Sequence, residues 1–112
     1  MELKNADILL CKFYFSDFKE YKKRPVLVFK DNLPFNDFIG IAISSQTHNM
    51  HSDEIIINNS MLKSGSLPKT SKLMLRKSFI IDKDIILKKY GELSEKEFSK
   101  IHKAFCEYYA CV

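Results

Sequence analysis

At 112 residues and 13.1 kDa the chain has room for a single domain over residues 1–112, and its 46% of hydrophobic residues can fill a core without disulfide or metal staples. Its 18 Lys and Arg against 14 Asp and Glu leave a net charge of +4, a mild surplus that suits a polyanion or an acidic protein partner. The apolar runs are far too short to cross a bilayer, and the hydrophobic content is too high for a disordered chain.

Ala6 to Phe13 open on Asp7 and run through Ile8-Leu9-Leu10-Cys11, an apolar stretch of strand length. Tyr14 to Arg24 read as a polar, aromatic-laced connection, and Pro25 then precedes the β-branched strand Val26-Leu27-Val28-Phe29. The turn signal Asp31-Asn32-Leu33-Pro34 leads into a third strand, Phe38 to Ile43, in which Gly40 marks a bulge or a close backbone approach. Ser44 to Asp53 form a polar loop, and Glu54 to Ile57 a short fourth strand. Asn58 to Thr70, with Gly65 and Pro68, read as loop with a turn of helix near Met61. Leu73 to Ile81 supply the fifth strand. Asp82 to Tyr90 predict a helical turn stopped by Gly91.

The end is the clearest local signal. Ser94 and Glu97 make a capping box, Leu93 and Phe98 the matching hydrophobic staple, and Phe98, Ile101, Phe105 and Tyr108 one apolar helix face. The three cysteines, Cys11, Cys106 and Cys111, are odd in number and form no CxxC, which favours reduced thiols, with Cys11 in the core. Glu2 and Asp7 near the start, with no apolar segment there, predict a cytoplasmic protein.

Several segments fall in a familiar order. Ala6-Asp7-Ile8 is followed by Phe13-Tyr14-Phe15-Ser16-Asp17 and then by Arg24-Pro25-Val26-Leu27-Val28. Ala42-Ile43-Ser44-Ser45 ends the third strand in hydroxyls. Ser71 to Asp82 aligns without gaps to a pattern Ser-x-Val-Arg-x-Asp-Lys-x-Phe-Thr-x-Asp, and Gly91-Glu92-Leu93-Ser94 precedes the helix. In this the chain resembles the PemK/MazF family of bacterial toxins, from about Ala6 to the last helix. The resemblance implies a mostly-β, SH3-like barrel of the CcdB/PemK type with a C-terminal α-helix, usually a homodimer. It also implies metal-independent cleavage of single-stranded RNA, no cofactor, and a small cognate antitoxin as partner. One departure stands out: the family's strand-five Arg falls on Met74 and its nearby Asp on Arg76.

Metal-free RNA cleavage must take a proton from the ribose 2′-hydroxyl, stabilise a pentacoordinate phosphate and protonate the leaving 5′-oxygen. Arg24 suits the middle task, because its planar fork donates two hydrogen bonds to a phosphate and stays charged. Without the family context it reads as a loop cation beside Lys22 and Lys23. Ser44 offers a hydroxyl to a phosphate or to the 2′-oxygen. These two are the expected catalytic residues, and Lys22, Lys23, Arg24, Ser45, Gln46, His48 and Arg76 the expected nucleic-acid contacts. Arg76 could return a cation near the place vacated at Met74, since residues two apart on a strand share a face. His48 could serve as acid or base, and with His51 and Asp53 it reads most simply as a solvated polar loop; no metal site is expected. Phe13, Tyr14, Phe15 and Phe18 could stack bases or pack the core. Two other readings stay open. One is a non-catalytic relative that binds nucleic acid or protein, which Met74 favours because a thioether cannot donate a hydrogen bond to phosphate. The other is a toxin like the gyrase poisons, acting by protein binding.

Overall fold

A computed structural model describes residues 2–14 and 20–110. Seven strands form one curled antiparallel sheet: β1 (Asp7–Tyr14), β2 (Tyr21–Lys30), β3 (Asp37–Ser44), β4 (Glu54–Ile57), β5 (Leu62–Gly65), β6 (Ser71–Asp82) and β7 (Ile86–Leu93), followed by helix α1 (Glu95–Tyr108). Their order across the sheet is β4-β6-β3-β2-β1-β7-β5.

Both faces of the three central strands are apolar, and both are covered. Ile8, Leu27, Ile41 and Ile43 face one core with Leu73, Leu93 and Ile101 of the helix. Leu9, Cys11, Val26, Val28 and Phe38 alternate onto the other, closed by Leu3, Ile81 and the partly buried Ile85 and Ile86. This is why the sequence shows continuous apolar runs there and no polar alternation. Burial pushes the Cys11 thiol up to about 12, so it stays protonated at neutral pH.

The structure departs from the sequence reading in three places. Lys22, Lys23 and Arg24 lie on β2, not in a loop, because Phe13↔Lys22, Lys12↔Lys23 and Cys11↔Arg24 pairing satisfies their backbone whatever the side chains. Residues Leu62–Gly65 form the edge strand β5, where only loop is expected. The expected helical turn is confined to a short 3₁₀ turn, Lys83–Ile85, whose Asp84 N–H is capped by Asp82 at 2.8 Å. From Ile86 onward the chain is strand, since β1 offers it a ladder that the weak pattern of Leu87-Lys88-Lys89 could not announce.

Helix α1 starts where the cap signal puts it: Ser94 Oγ accepts the Glu97 N–H at 3.3 Å. The Ser94 N–H goes to the Met61 carbonyl at 3.0 Å, so a neighbouring turn supplies the second half of the box. Phe29 is the extra residue of a bulge between Val28 and Lys30, and the bulge turns its ring onto Phe105, with centroids 4.1 Å apart. Gly40 lies directly across from Val28, and a Cβ there would sit 2.5 Å from Ile81 Cδ1.

A second and larger irregularity separates β3 from β6. Ile41 pairs with Ser78 and Ile43 with Leu73, so β3 advances by Ala42 alone while β6 passes through Met74, Leu75, Arg76 and Lys77. Three of the backbone groups freed by this bulge find partners elsewhere. Leu75 N–H donates to the Asp53 carbonyl (3.1 Å), Arg76 N–H to Asp53 Oδ2 (3.1 Å), and Tyr109 Oη–H to the Leu75 carbonyl (2.8 Å).

Candidate nucleic-acid interface

β2 and β3 run side by side, and continuing the register that pairs Val26 with Ala42 places Arg24 across from Ser44 two residues further along. Alternation sends Lys22, Arg24 and Val26 to one face of the sheet and Lys23 and Pro25 to the other. A cleft opens on each face at this end of the sheet, and Arg24, Ile43 and Ser44 line both. They form the rim between the clefts.

The first cleft, about 470 Å³, is walled by Lys23, Ser45, Gln46, Lys69 and Ser71, with Tyr90 and Leu67 behind. The second, about 340 Å³, is lined by Phe13, Val26, Ala42, Met74 and Phe79, with Lys22 and Lys77 beside them. It lies against the bulge of β6. Arg24 is exposed, and its side chain makes no hydrogen bond or ion pair among the described residues. Ser44 Oγ accepts the Gln46 N–H at 3.2 Å, a local turn that leaves its own proton available to a ligand.

Five of the residues expected at a nucleic-acid site from sequence therefore line the first cleft: Lys23, Arg24, Ser44, Ser45 and Gln46. Lys22 joins Arg24 and Ser44 at the second. His48 is exposed and lines neither cleft. Arg76 also lies outside both. Its Nη1 sits 2.8 Å from Asp53 Oδ1 and 2.9 Å from Glu54 Oε2, while Lys72 Nζ lies 2.8 Å from Glu54 Oε1 and donates to the Asn49 carbonyl at 2.8 Å. Two cations and two carboxylates thus tie the loop 45–53 and β4 to the bulged strand. The Lys72 ammonium, helped by the His51 N–H and Arg76 and opposed by burial, holds the Glu54 carboxyl at about 2. Burial pushes Asp53 up, but the Arg76 N–H and guanidinium outweigh it and hold that carboxyl below its usual range. Sequence reasoning missed Lys69, Lys77 and Phe79. Lys69 comes from the segment before β6, and Lys77 and Phe79 reach the second cleft by way of a bulge that no local motif announces. Phe15 and Phe18 lie outside the described residues.

A single curled sheet closed by one helix, with a basic rim between two clefts, defines a small mostly-β protein whose positive charge is gathered at one end of the sheet. Residues 4–109 match the family described as PemK-like, MazF-like toxin of type II toxin-antitoxin system. The chain belongs to this family. No curated protein matches the sequence. Among solved structures the fold is similar to MazE-MazF from Deinococcus radiodurans (TM-score 0.75, 12% identity, 100% of both chains covered). It is also similar to an endoribonuclease in complex with its cognate antitoxin from Mycobacterial species (TM-score 0.69, 16% identity, 95% of this chain and 93% of that one). A third similar structure is the Mycobacterium tuberculosis toxin MazF-mt6 (TM-score 0.66, 13% identity, 91% and 96%). At these identities the likeness is one of fold.

Proposed function

We propose that this toxin is a metal-independent endoribonuclease of single-stranded RNA, acting as a homodimer in the cytoplasm and held inactive by a cognate antitoxin that occupies the same rim. The observation that carries the reading is the convergence of Arg24 and Ser44 at a rim shared by two clefts whose linings hold Lys22, Lys23, Lys69 and Lys77 and, among the described residues, no carboxylate. A phosphodiester laid on that rim meets a guanidinium fork on one strand and a hydroxyl donor on the next. The 2′-oxygen, losing its proton, attacks phosphorus; the bond to the 5′-oxygen breaks as that oxygen gains a proton, giving a 2′,3′-cyclic phosphate and a 5′-hydroxyl. Negative charge on the phosphoryl oxygens is greatest midway, and there Arg24 binds most strongly. Ser44 donates to a non-bridging oxygen while its lone pair stays with the Gln46 N–H.

Purified protein should cut a long single-stranded RNA with chelator present. Arg24→Ala should lower the rate on the order of a hundredfold or more, the usual effect of removing a donor to developing negative charge, with an unchanged melting temperature because the side chain is exposed. Cleavage at full rate by Arg24→Ala would overturn the mechanism. RNA bound but never cut would turn the reading towards a non-catalytic relative.

A further inference from the structure

Resting on that reading, we infer that the second cleft is a nucleobase pocket: the base next to the scissile phosphate stacks on Phe79, beside Phe13 and Met74, while its phosphate stays on the Arg24–Ser44 rim. The residue that departs from the family pattern, Met74, makes this possible.

The two clefts differ in chemistry. The first presents hydroxyls, an amide and lysines, which suit a sugar-phosphate backbone. The second presents Val26, Ala42, Met74 and two phenylalanine rings, with cations only beside them. Phe13 and Phe79 meet edge to face, centroids 5.7 Å apart and planes at 68°. Phe13 is half-buried against the core, whereas Phe79 is 38% exposed and so keeps ring surface for a ligand. Met74, 8% exposed, contributes a polarisable thioether that packs well on aromatic faces. An arginine there would need a counter-charge, yet Glu54, across the β4 ladder from Met74, already serves Lys72 and Arg76.

The pocket exists because β6 leaves the β3 ladder from Met74 to Lys77, opening space beside Ala42. Asp53 and Tyr109 hold that opening by taking up the Leu75 N–H, the Arg76 N–H and the Leu75 carbonyl. It is therefore a built feature. An occupant that fits it is apolar yet attached to negative charge, since among the described residues Lys22, Lys77 and Arg24 are the charged groups lining it. A nucleobase on its backbone meets that description, and base-on-aromatic stacking is a strong, sequence-tolerant contact in single-strand binding.

The test uses the full chain and an oligoribonucleotide spanning a mapped cleavage site, with a 2′-deoxynucleotide at the scissile position to block the reaction. Variants of this probe carry hydrogen in place of each base in turn, and binding is read by fluorescence anisotropy. One abasic position beside the scissile phosphate should weaken binding about tenfold or more. Phe79→Leu, which keeps the packing volume but loses the ring face, should weaken the intact probe similarly and leave that abasic probe unchanged. Met74→Arg should fill the cleft and weaken the intact probe as well. The inference is overturned if every abasic probe binds as the intact one does, or if Met74→Arg binds tighter or cleaves faster, which would make the cleft a phosphate site. It is also overturned if only an acidic peptide, and no base, proves sensitive to Phe79→Leu. A wild-type chain that binds no RNA at low salt fails at the rim itself, and the pocket assignment fails with it.

Discussion

Glu54 shows how far one side chain can be from solvent and still govern a surface. Its carboxylate is fully buried, bridges Lys72 and Arg76, and receives the His51 N–H at 2.9 Å. With its carboxyl held at about 2 against an ordinary value of 4.5, the folded chain keeps this group ionised where the unfolded chain would protonate it. The stabilisation it provides is therefore whole above about pH 4.5 and is lost as pH falls through about 2. Asp53 and Glu92 are shifted in the same direction and add to the acid limb. Glu54→Gln should lower the melting temperature at neutral pH, and the gap to wild type should close as pH is taken from 5 towards 2. A gap that stays constant across that range, by thermal denaturation, would mean the ion pairs contribute nothing to folding.

The edge element β5 depends on a close backbone approach. Gly65 has φ +73°, and a Cβ there would lie 2.1 Å from the Tyr90 carbonyl oxygen and 2.5 Å from Gly91 Cα. Gly65→Ala should cost about 2 kcal/mol or more, from left-handed strain plus a clash that only backbone movement can relieve. Proteolysis between Leu62 and Gly65 should rise accordingly, and unchanged stability in urea would refute this. Elements with dense apolar pattern were legible in the sequence: β1, the apolar half of β2, β3, β4 and β6, and the cap at Ser94 to the residue. β5 and β7 were not, because Lys63, Ser64, Lys88 and Lys89 carry no strand signal of their own and are strands only by pairing with a neighbour. The same division runs through the candidate site. Arg24 and Ser44 stood out by position and family order, while Lys69, Lys77 and Phe79 are brought in by the path of β6, which is tertiary information.

At the scale of the molecule, one sheet of seven strands leaves two open edges, β4 and β5. Ile80 is 66% exposed on β6, and Tyr108 and Tyr109 are 45% and 42% exposed at the end of the helix. Tyr109 Oη lies 3.0 Å from Ser78 Oγ, two residues from Ile80 on the same strand face, so these apolar groups are close together. Apolar surface of this kind beside polar surroundings is what a symmetric self-contact covers. Light scattering at micromolar concentration should give about 26 kDa, twice the 13.1 kDa chain, and Ile80→Asp should halve it. A 13.1 kDa species in the wild type would argue against the homodimer.

The covering of the sheet on both faces has one more consequence. In a strand with one greasy and one wet side, sliding by a single residue exposes the greasy side, and the penalty keeps the pairing true. In β1, β2 and β3 that penalty is blunted, because a slipped strand would present Leu9 where Ile8 had been, or Val26 in place of Leu27. Alignment must then be enforced by features that fit in one frame alone. Phe29 can reach Phe105 only from its bulge, Gly40 alone can sit against Ile81, and Lys72 meets Glu54 only if β4 and β6 are correctly matched. The irregularities of this sheet act as keys in a lock, and a sequence smoothed into ideal strands would have several ways to zip up and no reason to prefer one.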